Sequence, residues 1–263
     1  MIIGICGLAG SGKDTFATYL GRHGAVNVAM ADPLKRIARD VYAFTRDQLW
    51  GPSHMRNTPD KRYPRAHTWV LADRTADQEM VCSCCGAEAG RRFVEDDVLV
   101  VNEEDVPRCH LTPRYALQML GTEWGRTCYP DTWAALCVRT AKKLLESTME
   151  DSPKNVGWHS LYYTAENGLW DGENVRQVTT VTVSDVRFRN EMQVIRQAGG
   201  KVIRVVRPGA GLKGAAGTHP SEVEQAGILD REFDAVIENV GDLEALQAKA
   251  LPLLERIGVK RVP

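Results

Sequence analysis

The sequence predicts an α/β fold built on a parallel five-stranded sheet. Two observations predict it. Short apolar stretches alternate with helical patterns along most of the chain, which is the signature of strands joined by helical crossovers. The first of these stretches, Ile2 to Cys6, runs straight into a glycine-rich turn, as a buried parallel strand does at its carboxyl end.

The elements follow in order. Ile2 to Cys6 is the first strand, and a helix follows from Lys13 to about Leu20. Val26 to Met30 is the second strand, after which Pro33 opens a helix at a position where its missing N–H costs nothing. Thr112 caps a helix that starts at Pro113 and reaches about Leu120; Asp131 caps another reaching about Thr148. Thr179 to Val183, Lys201 to Val206 and Ala235 to Ile237 are the remaining strands, with helices over Arg189–Ala198 and Leu243–Leu254. Two stretches break this rhythm. Residues 46–110 are polar and turn-rich, and Asp151 to Gln177 is rich in Gly, Asn and aromatics. Both exceed ordinary loop lengths and read as insertions. The chain is then one domain over 1–263, with an insertion at 46–110 and a helical region at 111–150.

Composition weighs against several classes. At 263 residues, with a formal net charge of −1, the chain lacks the basic footprint of a nucleic-acid binder. It is 43% hydrophobic and 25% charged, ordinary for a soluble globular protein. The apolar start, Met1 to Cys6, is too short for a signal peptide and lacks a basic flank. No apolar run is long enough for a membrane span. A cytoplasmic location is expected.

The stretch "GICGLAGSGKDTF", Gly4 to Phe16, sits between the first strand and the first helix. Gly7, Gly12 and Lys13 have phosphate-loop spacing, but Asp14 stands where a hydroxyl is usual and Thr15 comes one residue later. By spacing alone the stretch is also a plain glycine turn. Its place between strand and helix favours the phosphate reading. Small residues at Gly10, Ser11 and Gly12 let backbone N–H groups approach an anion, and the helix N-terminus adds partial positive charge. Lys13 then reaches the β- and γ-phosphates. A carboxylate is a good ligand for a hard cation, so Asp14, with Thr15 beside it, is read as the Mg²⁺ side of the loop. In "TTVTVSD" an apolar strand delivers Asp185 at its carboxyl end, where an acid can orient the metal or the acceptor.

An anionic acceptor is suggested by "ADPLKR", with Lys35 at a helix start, and by "TPRYALQMLGTEWGR". Arg114, Gln118 and Arg126 recur at spacings that share a helical face. Arg grips phosphate and Gln offers both a donor and an acceptor to a base edge. Gly121-Thr122 would end that helix, and Trp133 is either a stacking surface or core.

Taken in order, "GSGKDT", "ADPLK", "TPRYALQMLGTEWGR", "PDTW", "SDVRFRNE", "VIRVVRPG" and "THPSE" resemble the deoxynucleoside monophosphate kinases of tailed bacteriophages. The resemblance runs from Met1 to about Glu244, apart from the cysteine region and 151–177. It implies a three-layer P-loop kinase fold with helical substrate and lid insertions. It implies transfer of the γ-phosphoryl group of ATP to a deoxynucleoside monophosphate, supplying phage DNA synthesis in the host cytoplasm. Gly12, Lys13, Asp14 and Thr15 would hold Mg-ATP. Lys35, Arg114, Gly121, Thr122 and Trp133 would hold the acceptor, and Asp185, Arg187 and Glu191 would line the reaction centre. Lys13, Asp185 and Arg187 would be the catalytic residues. Related kinases often pair, so a homodimer is a candidate assembly. The glycine-rich stretch 207–222 reads as a lid that excludes water, with Arg207 and His219 as contacts. The same loop also suits small-metabolite kinases that phosphorylate dephospho-coenzyme A or phosphomevalonate. A nucleic-acid-binding module with a residual nucleotide site is the non-enzymatic alternative.

Of seven cysteines, four fall between Cys82 and Cys109. Cys82 and Cys85 form C-x-x-C before a glycine, and Cys109-His110 follows. Four such ligands suit a tetrahedral Zn²⁺ that would fold a small module within 46–110, although adjacent Cys and His rarely share one ion and Cys84 is an alternative. The resemblance is silent on this cluster.

Overall fold

Ile2–Cys6 has no polar side chain and forms β1, buried at every position. It leads into α1 (Lys13–Arg22), and β2 (Val26–Ala29) follows. The structure, a computed structural model, describes residues 1–71, 80–88, 92–95, 98–101, 108–146, 178–211 and 220–258. The insertion read at 151–177, the end of the helix expected to reach Thr148, and His219 with residues 212–219 lie outside the described residues. The chain divides into two compact units, Met1–Met30 with Tyr129–Pro263, and Ala31–Cys128.

The second unit begins with α2 (Asp32–Tyr42), which carries Pro33 in its first turn. Two short helices follow, α3 (Arg46–Trp50) and α4 (Ser53–Asn57), inside the stretch expected to be a turn-rich insertion. The first of them is capped at its start. Thr45 Oγ1 accepts from Gln48 N, and Gln48 Oε1 accepts from Thr45 N, a reciprocal box that satisfies two orphan donors. Leu49 and Phe44 then pack with Ala38 and Ala116, flanked by Tyr42, Trp50 and Tyr63. Three antiparallel two-stranded pairs come next. β3 (Pro64–Arg65) pairs with β8 (Cys109–His110); between them β4 (Trp69–Leu71) pairs with β5 (Met80–Cys82), and β6 (Arg92–Glu95) pairs with β7 (Val98–Val101).

Thr112 caps α5 (Pro113–Gln118) by accepting from Tyr115 N. The helix does not stop at Gly121-Thr122 as expected. It continues as a π-helix over Met119–Arg126. Gly121 is buried and closes on Leu34 of α2, where a Cβ would lie 3.2 Å from Leu34 Cδ1. Here glycine provides close packing rather than termination.

The first unit resumes with α6 (Thr132–Glu146), so the stretch 111–150, read as one helical region, divides between the units. β9 (Val181–Val186), α7 (Arg189–Gln197), β10 (Lys201–Val206), α8 (Pro220–Ala226), β11 (Ala235–Glu238) and α9 (Leu243–Arg256) complete it. The sheet order is β11-β10-β1-β9-β2, and every pairing is parallel. β9 starts two residues later than expected and extends to Val186, because Ser184 pairs with Ala29 of β2 and Val186 pairs with Cys6 of β1.

Alternation along β1 sorts the layers. Ile3 and Ile5 pack with Phe16, Ala17 and Leu20 of α1 and with Leu246, Ala250 and Leu253 of α9. Each large side chain buried there contributes about 1.5–3 kcal/mol. Gly4 faces the other way, toward α7, so closely that a Cβ would lie 2.8 Å from Ile195 Cδ1. Helices therefore cover both faces of the sheet.

In the second unit Asp60 ties the start of α3 to the chain before β3. Its carboxylate accepts from Arg62 Nη2 at 2.7 Å, Arg62 Nε at 2.9 Å and Gln48 Nε2 at 3.1 Å. The Arg62 guanidinium, against the opposing effect of burial and aided by Gln48, holds the Asp60 carboxyl well below the usual carboxylate range. A depressed pKa stabilises the fold above about pH 4, and that contribution is lost as pH falls further. Arg62 is half exposed, which weakens the pair. Asp60→Asn is expected to cost about 1–2 kcal/mol at pH 7, measured by urea unfolding, and the gap between the two proteins should narrow in acid.

Candidate functional site

The loop between β1 and α1 is shaped by backbone geometry. Gly10 and Gly12 hold φ of 77° and 93°, in the left-handed region that glycine adopts without strain. Ser11 N donates to Leu8 O at 3.0 Å, and Phe16 N donates to Gly12 O at 2.9 Å as the helix begins. Asn239, just beyond β11, donates from Nδ2 to Ser11 O at 2.8 Å. It sits so close that a Cβ on Gly12 would lie 2.2 Å from it. Glycine is required at that position on both counts.

Charge and burial at the loop suit an anion. Lys13 opens α1 with only 10% of its side chain exposed, and its Nζ lies 3.9 Å from Asp14 Oδ2. The Asp14 side chain is 79% exposed and offers hard oxygen donors to solvent, as a Mg²⁺ ligand must; Thr15 beside it is also exposed. Ser11 is 1% exposed, and its hydroxyl has no hydrogen-bond partner among the described residues. Such an orphan is costly unless something else supplies the bond. The segment after β10 reaches the same loop, with Gly211 N donating to Ala9 O at 2.9 Å. Arg207, at the start of the stretch read as a lid, is exposed.

Beside the loop, the carboxyl end of β9 carries Asp185. The register with β1 shifts between Gly4 and Cys6, and Asp185 occupies that irregularity with φ 65°. Aspartate tolerates the left-handed region better than most residues, and such outliers mark functional positions. Arg187 Nη2 lies 3.9 Å from Asp185 Oδ1. Gly12, Lys13, Asp185 and Arg187 thus belong to adjacent strand ends, where ligands bind in open parallel sheets. Glu191 has a different task. It is buried, and its Oε2 accepts from Arg187 N at 2.7 Å and Phe188 N at 3.1 Å, capping α7. Trp133 is 6% exposed, within the buried face of α6.

In the second unit Lys35 is half-buried with Nζ 5.4 Å from the centre of the Trp50 ring, while its neighbour Arg36 is 3% exposed. The π-helix gives the next stretch its character. Four-residue steps drift about 40° around an α-helix, but the wider π turn removes much of that drift. Two stripes stay in line. Gly121 and Gly125 are buried, extending the row from Pro113, whereas Arg114, Gln118 and Thr122 are exposed and Arg126 is half-buried. Arg114 Nε donates to Asn57 Oδ1.

The cysteine cluster also departs from the expected set. Ligating atoms of Cys82, Cys85 and Cys109 gather with His67, all within 4.8 Å of one another; His110 is not of the group. The two-residue pairing of β3 with β8 explains this, since it sets Arg65 opposite Cys109 and so carries the nearby His67 to the thiols. Burial raises the Cys82 thiol, but N–H groups of Cys85, Thr68 and Cys84 and the His67 side chain outweigh it and bring it to about 6. Burial pushes up Cys85 and Cys109, and their sulfur neighbours add to the rise at Cys109.

Sequence reasoning missed His67, Asn239 and the packing role of Gly121. For Asn239 a signal was present: it directly follows a strand expected in a parallel sheet, where residues at strand ends meet the ligand loop.

Comparison with known proteins follows this geometry. Residues 164–250 match the family model described as deoxynucleotide monophosphate kinase. The chain is 26% identical over 258 residues to a protein of Acanthamoeba polyphaga mimivirus named as a candidate deoxynucleotide monophosphate kinase, covering 97% of this chain and 96% of the relative. The crystal structure of TT1252 from Thermus thermophilus aligns over 97% of each chain at 16% identity with a TM-score of 0.38, a likeness too slight to carry weight.

Asn239→Ala removes the donor to Ser11 O and leaves a buried carbonyl unsatisfied. We expect ADP to bind about tenfold more weakly, corresponding to about 1.4 kcal/mol, measured by isothermal titration calorimetry.

Proposed function

We propose that this protein is a kinase that transfers the γ-phosphoryl group of ATP to a deoxynucleoside 5'-monophosphate. The observation that carries the phosphoryl-transfer reading is the β1–α1 loop: a glycine-shaped turn with the buried Lys13 at a helix N-terminus and Asp185 and Arg187 at the next strand end. The acceptor class rests on the family match at 164–250 and on the viral relative. The product would supply DNA synthesis, in the host cytoplasm if the gene is a phage's.

Phosphoryl transfer needs positioning and charge neutralisation rather than covalent catalysis. Backbone N–H groups of Gly10 to Lys13 cradle the donor phosphates, and the Ser11 hydroxyl supplies a further bond. Lys13 and Arg187 neutralise the transferred group. Asp14 and Thr15 would hold Mg²⁺, which would offset the negative charge of the donor phosphates. Asp185 orients the reacting groups. The acceptor phosphate is already nucleophilic near neutral pH, so no strong general base is needed. Arg207 and the glycine-rich stretch after it exclude water.

On the acceptor side we assign Lys35 and Arg114 to the phosphate, and Gln118 and Thr122 to the base and sugar. Gly121 supports these residues by close packing on α2; in the first unit Glu191 caps α7 beside Arg187 and Trp133 packs in the buried face of α6.

A coupled ADP-release assay tests the reading with dGMP, dTMP, dCMP, dAMP, their ribose counterparts and dephospho-coenzyme A. Turnover with at least one deoxynucleotide is expected, falling about 10²–10³-fold in Lys13→Ala. Turnover only with dephospho-coenzyme A, or none across the panel, overturns the acceptor assignment. In the same assay Gln118→Ala should change the ranking of bases more than it changes kcat for the best one.

A further inference from the structure

One cluster of chemistry-bearing side chains has no task in phosphoryl transfer. His67, Cys82, Cys85 and Cys109 each offer one ligand atom, and all four atoms lie within 4.8 Å of one another. Cys82 Sγ is 3.7 Å from Cys109 Sγ, and Cys85 Sγ is 3.8 Å from His67 Nδ1. These are edge lengths of a tetrahedron around a metal. Zn–S bonds of about 2.3 Å give an S···S edge of about 3.8 Å, and a Zn–N bond of about 2.0–2.1 Å gives an S···N edge of about 3.6 Å.

We propose that these four side chains bind one structural Zn²⁺, through Nδ1 of His67 and three thiolates.

The backbone is arranged for it. Cys82 ends β5, and the turn that follows brings Cys85 back. Gly86 N donates to Cys82 O and Cys82 N to Ala87 O, both at 2.8 Å. Ser83 N donates to Thr68 O at 2.9 Å, fixing that turn to the residue after His67. Cys109 is delivered on β8, opposite Arg65 of β3. His67 stacks on Trp69 with ring centroids 4.6 Å apart, which holds the imidazole plane.

The other nearby candidates are engaged elsewhere. Cys84 Sγ donates to His110 O at 3.2 Å, and Cys84 O accepts from Thr112 Oγ1 at 3.0 Å. His110 contributes its backbone to the β3–β8 pair.

Electrostatics and packing both call for a cation. Three thiols at this spacing cannot all ionise unaided, because each thiolate disfavours the next. A dication removes the conflict and makes three thiolates the stable state. Among the described residues the apolar support is slight: Cys82, Cys84 and Cys109 form the buried cluster, flanked by Trp69, Ala87, Leu111 and Tyr115. Small modules with so little core take their folding free energy from the metal. A donor set of three sulfurs and one imidazole in tetrahedral array selects zinc.

The test uses the full-length chain, expressed with zinc and purified without chelator. Elemental analysis should give one zinc per chain. The metal-free protein titrated with Co²⁺ should develop the visible bands of tetrahedral cobalt and a sulfur-to-cobalt charge-transfer band, both abolished by one equivalent of Zn²⁺. His67→Ala and Cys109→Ser should lose stoichiometric zinc, whereas His110→Ala and Cys84→Ser should keep it. Chelation should lower the thermal unfolding temperature of the wild-type chain. Absence of zinc and of tetrahedral cobalt bands in the wild type overturns the proposal, as does iron in place of zinc. So does loss of metal in His110→Ala with retention in His67→Ala, or removal of zinc with no change in unfolding. The wild-type titration decides the matter even if a variant fails to fold. No readout uses kinase turnover, so the outcome is independent of the proposed activity.

Discussion

Parallel pairing of β1 with β9 on one side and β10 on the other is the constraint from which the candidate site follows. A central strand buried on both faces must be apolar, and Ile2–Cys6 is. Where it ends, its two neighbours end beside it. The loop that leaves β1 therefore lies next to Asp185 from β9 and to the segment after β10 that donates to Ala9 O. Asn239, one strand further out, completes the support by fixing Ser11 O. The loop's shape is thus set by hydrogen bonds from distant parts of the chain together with the left-handed backbone of Gly10 and Gly12.

How far the sequence reveals this depends on how local each determinant is. β1 and β10 match their expected bounds, because an apolar run closed by glycine or proline needs no tertiary information. Lys13 marks the helix start for the same reason. Gly121 and Gly125 mislead: a glycine late in a helical pattern is usually a terminator, yet here both are buried in a continuing π-helix. Nothing local distinguishes a glycine that ends a helix from one that lets a neighbouring helix approach. His67 does not stand out because it lies 42 positions from Cys109 in sequence, and only strand pairing makes them neighbours. Asn239 has its place after a parallel strand as a signal, but its partner Ser11 lies 228 residues away and nothing local names it.

The two units divide the physical work differently. The first is a sheet covered by helices, with long buried side chains such as Phe16 and Ile195 fixing the layers. The second relies more on polar connections. Asp60, which accepts from Gln48 Nε2 of α3, and the Thr112 hydroxyl, which donates to Cys84 O, join separate segments, while the Thr45–Gln48 box fixes the start of α3. Such joints are directional. They hold short helices and strands at set angles, which hydrophobic contact alone does not do.

The β3–β8 ladder has a consequence for how this chain can vary. With Pro64 opposite His110 and Arg65 opposite Cys109, the polypeptide between them starts and ends at one closed neck within the second unit. Chain inserted beyond such a neck adds little to the entropy of closing it, about 0.6 kcal/mol for each doubling of length. The tip of this excursion is therefore a place where lineages can lengthen, trim or replace sequence, and where a tag or reporter can be grafted, while the helices on either side of the neck keep their positions.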